Sequence, residues 1–363
     1  VEVDEGLLGQ LHQRPTGARA VGTGARQVHG MRCVRDAHED GQRFNLLASA
    51  GPQRPGGVLL SGHMDVVPAS PDGWTGDPFI LRRDDGHLHG RGAVDMKGFI
   101  AIVLASLPDI MAQADSLSMP LHVALSFDEE TGFFGASQLP AFFDSIGLRA
   151  EIAIIGEPTN MQPFVGHKGG MELTTVVTGT SGHASQPAGT VNAVYYAARL
   201  VDFMRSCADD LAAAPIEGSP FNPPHTSLSV GVIRGGEARN IIPDRCEIDW
   251  EIRAHPGDDP HQYLGRVTDF ITHGLVPEMT SIDPRAGIET HMLCDAPPLE
   301  ARPDGPAANL VARLWTNETP QVVSFGTDAP FFQKAGMDTV IFGPGGMASG
   351  EGKVQNICLF ESK

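Results

Sequence analysis

Four short stretches put metal-binding or acid–base side chains where strands are predicted to end or helices to begin. His63 and Asp65 lie in Gly62-His63-Met64-Asp65, directly after the apolar run 57–61. Asp95 follows the Gly90–Gly92 turn at the start of a predicted helix. Glu129 and Glu130 follow the apolar run 121–127, and Glu157 follows the run 151–155. In open α/β sheets the carboxyl ends of the strands form the ligand crevice. These groups can therefore converge although they are far apart in the chain.

Carboxylate oxygens combined with an imidazole suit zinc or a similar divalent ion. A carboxylate shared between two ions permits a paired-metal site about 3.5–4 Å across, able to activate a water. A further carboxylate that binds no metal can act as general base toward that water. The adjacent Glu129 and Glu130 can divide these roles, and Asp65 can hold the His63 imidazole in its metal-binding tautomer. Each feature also has a plainer reading: paired glutamates are commonly solvated surface, Asp95 serves as a helix cap, and Glu157 before Pro158 begins a turn.

The elements needed to position these groups follow from the hydrophobic pattern. Strands are predicted over 45–50, 57–61, 121–127 and 151–155, with helices over 95–111 and 136–143. That alternation describes an α/β layer with a mostly parallel sheet. Residues 14–27 are Gly/Arg-rich and without period, and read as irregular. Near Gly170 the character changes: a strand over 171–179, a helix over 192–208, strands over 227–233 and 247–253, then a helix over 261–273. A helix over 307–315 and a strand over 339–342 resume the α/β pattern. The simplest account is a discontinuous metal-binding domain, residues 1–170 and 291–363, with an α+β domain inserted over 171–290.

Bulk properties narrow the function. At 363 residues the chain accommodates two domains, and 41% hydrophobic with 19% charged residues is a globular composition. The charge, 26 − 44 = −18, opposes nucleic acid and anionic membrane as partners. Five scattered cysteines without a CxxC pair argue against a disulfide framework or a cysteine zinc site and for a reducing cytoplasm. No segment reads as membrane-spanning or as a signal peptide, with Val1 as the first residue.

Taken with their neighbours, these residues resemble the M20 family of dinuclear zinc amidohydrolases. The stretches are SGHMDVVP (61–68), GRGAVDMKGFIA (90–101), SFDEETGFFGA (126–136), IGEPTNMQPFVGHKG (155–169), TSGHASQP (180–187), GGEARNIIPDRCEIDWEIRAHPG (235–257) and SFGTDAPFFQKAGM (324–337). They run in family order over roughly residues 34–350. GWTGDPF, DMKGFIA, GEPT and GHKG lean toward the acetylornithine deacetylase branch. The resemblance implies a zinc-peptidase-like catalytic domain with two zinc ions, cobalt or manganese being substitutes. His63 would bind one ion, Asp95 would bridge both, Glu157 would bind the first and Glu130 the second. Glu129 would be the general base and Asp65 the partner of His63. The insert would be a lid and dimerisation domain, its His183 reaching the partner subunit's site to stabilise the oxyanion. Asn240 and Arg253 would contact the substrate, with Gly326 and Thr327 near its carboxylate.

The resemblance fails at both ends. The family's N-terminal helix has no recognisable counterpart before Val34. The family carries a second metal-binding histidine shortly after a GPG turn; here GPG (343–345) is followed by GMASGEGKVQNICLFESK, which has no histidine. Glu351 stands at the expected position. The expected reaction is hydrolysis of N2-acetyl-L-ornithine to L-ornithine and acetate, in arginine biosynthesis, with activity impaired by the missing histidine. The alternatives are the same chemistry on succinyl-diaminopimelate, another acyl amino acid or a dipeptide, and a catalytically dead relative that binds a small ligand. The expected partner besides substrate is a second copy of the chain, with neither nucleic acid nor membrane.

Overall fold

A computed structural model of the chain describes residues 26–28, 31–38, 40–70, 74–84, 86–315, 318–346 and 356–358. Two compact units emerge, one of residues 1–166, 301–321 and 327–363, the other of residues 167–300 and 322–326. The described strands are β1 Arg26–Val28, β2 Met31–Ala37, β3 Phe44–Ala50, β4 Val58–His63, β5 Arg82–Asp84, β6 His87–His89, β7 Leu121–Ser126, β8 Ile152–Ile155 and β9 Phe164–His167. They continue with β10 Gly170–Thr178, β11 Gly182–His183, β12 Ser227–Gly235, β13 Ile241–Ile242, β14 Arg245–Arg253, β15 Gly287–Ala296, β16 Gln321–Val323, β17 Asp338–Ile341 and β18 Asn356–Cys358.

The first unit is built on a nine-stranded sheet in the order β1-β2-β3-β7-β4-β8-β17-β9-β16. Its centre, β7-β4-β8-β17, is parallel, with antiparallel β1-β2-β3 on one side and β9 on the other. This is the mixed α/β fold expected. The parallel strands are mostly apolar, as strands covered on both faces tend to be. Ile100 and Val103 of the helix Gly98–Ala112 pack on Met31, Ala48, Val123 and Leu125 of the sheet. β18 pairs with β6 in a small separate sheet with β5.

The second unit has a four-stranded antiparallel sheet, β12-β14-β10-β15. The helix Ala193–Ala212 covers it with Ala193, Ala197, Leu200, Met204, Cys207 and Leu211, spaced by three or four so that they form one stripe. Asn192 caps this helix by accepting from the Val194 and Tyr195 N–H groups. Facing the stripe, β14 offers Cys246, Ile248, Trp250 and Ile252 at strand period.

Local differences from the sequence reading have physical reasons. The helix expected to begin at Asp95 starts at Gly98; Asp95 lies in the preceding Ala93–Lys97 turn with an extended backbone (φ −112°, ψ 99°). Between β12 and β14 lies the short strand β13, which pairs with β11. The helix expected over 261–273 runs as Pro260–Asp269, a Phe270–Leu275 turn of wider pitch and Val276–Ile282. The irregular segment 14–27 lies outside the described residues apart from the start of β1. No described helix is long and apolar enough to cross a membrane.

Candidate metal centre

Three adjacent parallel strands bring the chemistry together. His63 is the last residue of β4 and is in register with Ser126, the last residue of β7, while Ser61 is in register with Ile155 at the end of β8. All three strands therefore stop at the same edge, and the residues just beyond them gather there: Asp65 after β4, Glu129 and Glu130 after β7, Glu157 after β8. Two backbone bonds tie these ends, Met64 N donating to the Ser126 carbonyl (2.9 Å) and Gly156 N to the Ser61 carbonyl (2.9 Å). Asp95 arrives from the other direction. Gly92, at φ +79°, makes a left-handed turn whose Cβ would lie 2.5 Å from Val66 Cγ1, so the approach requires glycine.

The buried His63 Nε2 lies 2.9 Å from Asp95 Oδ1, 3.9 Å from Glu157 Oε1 and 4.0 Å from Glu129 Oε2. His63, Asp95 and Glu157 offer ligand atoms that all lie within 4.8 Å of one another. Donors at 2.0–2.2 Å from a zinc ion, set tetrahedrally, are roughly 3.3–3.5 Å apart, so this set fits one divalent ion with small side-chain adjustments. The His63 Nδ1 faces the Asp65 carbonyl (3.1 Å), with the Asp65 carboxylate at 3.5 Å. A proton on Nδ1 is thus held there and Nε2 is left for a metal. The Asp65 carboxylate mainly secures the next turn: it accepts from Glu129 N (3.2 Å) and Glu130 N (3.0 Å). Lys97 reaches back to the Met64 carbonyl (2.7 Å).

The electrostatics also suit a cation. Burial, the Glu157 charge and the nearby Asp328 and Glu130 carboxylates push Glu129 well above the ordinary carboxylate range. Burial and the Asp95 charge do the same to Glu157, and burial with Asp95 raises Glu130. Burial opposes protonation of His63, yet its bonds to Asp65 and Asp95 and the charges of Glu157 and Glu129 raise it well above its ordinary value. Buried carboxylates crowded in this way are costly unless a cation or a proton balances them.

The other residues named from the sequence fall as follows. Glu130 sits beside Glu129 but outside the tight three-residue set, and its carboxylate accepts from the Val67 N–H. His183, Asn240, Arg253 and Gly326 belong to the second unit. There the exposed His183 Nδ1 is 2.6 Å from Ser185 Oγ, and the Asn240 carbonyl accepts from Ala184 N. Arg253 is engaged by Glu251 (2.6 Å) and Glu172 (3.6 Å) on the sheet face. Thr327 is buried in the first unit, its Oγ1 accepting from Ala329 N. Glu351 lies outside the described residues.

One group escaped the sequence reading: Asp328, buried and bonded to Ser126 Oγ at 2.5 Å. Its only signal was its place beside Gly326 and Thr327 in the SFGTDAPF stretch.

Solved structures share this architecture. An M20 family metallo-carboxypeptidase of Sulfolobus solfataricus, Sso-CP2, superposes with a TM-score of 0.70 at 16% identity, over 91% of this chain and 86% of that one. The dipeptidase Dug1p of Saccharomyces cerevisiae gives 0.68 at 17% identity, over 98% and 86%. YxeP of Bacillus subtilis, described as a dinuclear metal-binding peptidase of the M20 family, gives 0.53 at 14% identity, over 83% and 76%. At these identities the likeness speaks for the fold. The sequence profile of peptidase family M20/M25/M40 matches residues 59–354, well over half of the chain. The chain belongs to peptidase family M20/M25/M40.

Proposed function

We propose that this protein is a metal-dependent hydrolase of acyl amino acids, with N2-acetyl-L-ornithine as substrate. The observation that carries the hydrolase reading is the His63–Asp95–Glu157 set, with His63 and Glu157 buried and Asp95 half-buried, beside Glu129. The choice of substrate rests on the GWTGDPF, DMKGFIA, GEPT and GHKG variants. His63, Asp95 and Glu157 would hold the first ion, and Asp95 with Glu130 would contribute to a second. A divalent ion bound there supplies Lewis-acid polarisation of the acyl carbonyl and lowers the pKa of water.

The chain's own residues do the rest. Glu129, half-buried beside the ligand set, takes a proton from the attacking water on a carboxylate oxygen. It delivers that proton to the amine nitrogen as the amide C–N bond breaks, leaving carboxylate and amine. Asp65 fixes two things at once, the His63 tautomer and the backbone of the Glu129–Glu130 turn. His183, Asn240, Arg253, Gly326 and Thr327 are proposed for the oxyanion and for substrate polar groups. We place the protein in the cytoplasm, as a homodimer formed through the second unit. The five scattered cysteines, without a CxxC pair, support the former. The exposed Tyr195, Ile233 and Ile241 support the latter, and sedimentation tests it.

The stretch after Gly346 modifies this reading. Two zinc ions carry +4, and Asp95, Glu130 and Glu157 supply −3. Glu351 as a further ligand would bring the shell to −4 and lower the Lewis acidity that activates water. With no histidine after the GPG turn, one ion is expected to be held more loosely than the other, and turnover to be weakened or absent. Metal analysis with a deacetylation assay tests this: two tightly held zinc ions and normal turnover overturn it. Glu351→His is expected to tighten the second ion. A panel of acetylornithine, succinyl-diaminopimelate and dipeptides decides the substrate.

A further inference from the structure

Asp328 occupies the N-cap position of the helix Ala329–Lys334, yet its carboxylate makes no cap bond. The first helical N–H, Ala329 N, is instead taken by Thr327 Oγ1 at 3.1 Å. An aspartate here ordinarily caps its own helix. This one turns away, and its Oδ2 accepts from Ser126 Oγ, 202 residues distant in the chain, at 2.5 Å. Both side chains are buried, and among the described residues Oδ1 has no hydrogen-bond partner. Among the described residues, the carboxylate is therefore anchored through Ser126. Burial pushes it up to about 6, and its charge is felt by Glu129 and Glu157. A buried carboxylate placed among others is costly and helps no helix, so its use must lie in what it holds.

What it holds is the end of β7. Ser126 is the last residue of that strand, its carbonyl receives Met64 N, and two residues later Asp128, at φ +57°, opens the turn that carries Glu129 and Glu130. Asp65 grips the far side of this turn through the Glu129 and Glu130 N–H groups. We propose that Asp328 is a positioning residue that, through Ser126, fixes the strand end from which the Glu129–Glu130 turn projects, and so clamps together with Asp65 the carboxylates of the metal centre. Asp328 is adjacent in sequence to Thr327, so the same clamp ties the turn to the segment proposed to receive the substrate's carboxylate.

Hydrogen–deuterium exchange of the intact chain, metal-free and zinc-loaded, tests this in Asp328→Ala, Ser126→Ala and Asp328→Asn. Asparagine keeps an acceptor for Ser126, and Ser126→Ala removes one oxygen, so at least these two variants are expected to fold. Exchange across 127–134 should rise about tenfold in the two alanine variants, with β3 and β8 unchanged, and stay within about twofold of the parent in Asp328→Asn. Unchanged exchange in Ser126→Ala, or an equal rise in every strand, overturns the proposal. The assignment of Glu129 as base rests on the proposed hydrolase function, whereas the exchange result does not. If the parent turns over, Ser126→Ala should lower kcat about tenfold with KM held. An effect confined to KM, with kcat unchanged, also overturns the clamp.

Discussion

Glutamine at position 129 keeps the size of the side chain and removes its capacity to take a proton. Glu129→Gln is expected to lower kcat about 10²–10⁴-fold with metal content unchanged; retained turnover would move the base elsewhere. His63→Ala should instead abolish binding of the first ion, which calorimetric zinc titration reads directly. A third residue makes a pH prediction away from the metal centre. His122, in register with Ser49 on β3 and 2.7 Å from its hydroxyl, is buried, and burial with the charge of Arg32 pushes its pKa down to about 4. The unfolded chain binds this proton near pH 6.5, so between about pH 6.5 and 4 it holds more protons than the folded one, and stability falls as pH falls. The effect is on the order of 3 kcal/mol when complete. Urea midpoints for the parent and His122→Gln over that range should converge toward low pH; parallel curves would refute the assignment.

Elements carry the next level of argument. The period of the helix Ala193–Ala212 was legible because its buried stripe repeats every three or four residues. Asn192→Ala, which removes the cap, should cost about 1 kcal/mol in urea unfolding, and no loss would mean the cap bonds are replaced by water. The Asp95 turn was not legible. A helix-like pattern runs through it, whereas in the fold Asp95 leaves the helical path and its carboxylate lies 2.9 Å from His63 Nε2. The Gly343 turn shows the same dependence on distant chain. A Cβ there would lie 2.3 Å from the Gly156 carbonyl and 2.5 Å from that of Glu157. Gly343→Ala is therefore expected to destabilise the protein by about 1–3 kcal/mol and to weaken zinc at the first site by displacing Glu157. Unchanged zinc affinity would show that the ligand does not depend on this contact.

At the scale of the whole molecule, an ion held at the candidate centre would couple metal binding to folding. The ligands come from three strand ends and a turn, so the unfolded chain has no such set. Zinc at about a hundred times its dissociation constant should stabilise the protein by about 2.7 kcal/mol, read as a rise in Tm over chelator-treated protein. Equal Tm values would argue that no ion is held in the folded state. The chain's residues alone determined the α/β class, the three strands next to His63, Glu129 and Glu157 to within two residues at their ends, and the residue types able to bind a metal or move a proton, because periodicity and local chemistry are properties of neighbours in sequence. Tertiary structure decided the rest. Convergence of His63, Asp95 and Glu157, the double grip of Asp65, and the Asp328–Ser126 bond all depend on strand order and register. Those are set by burial of whole faces between residues far apart in the chain, where no local pattern reaches.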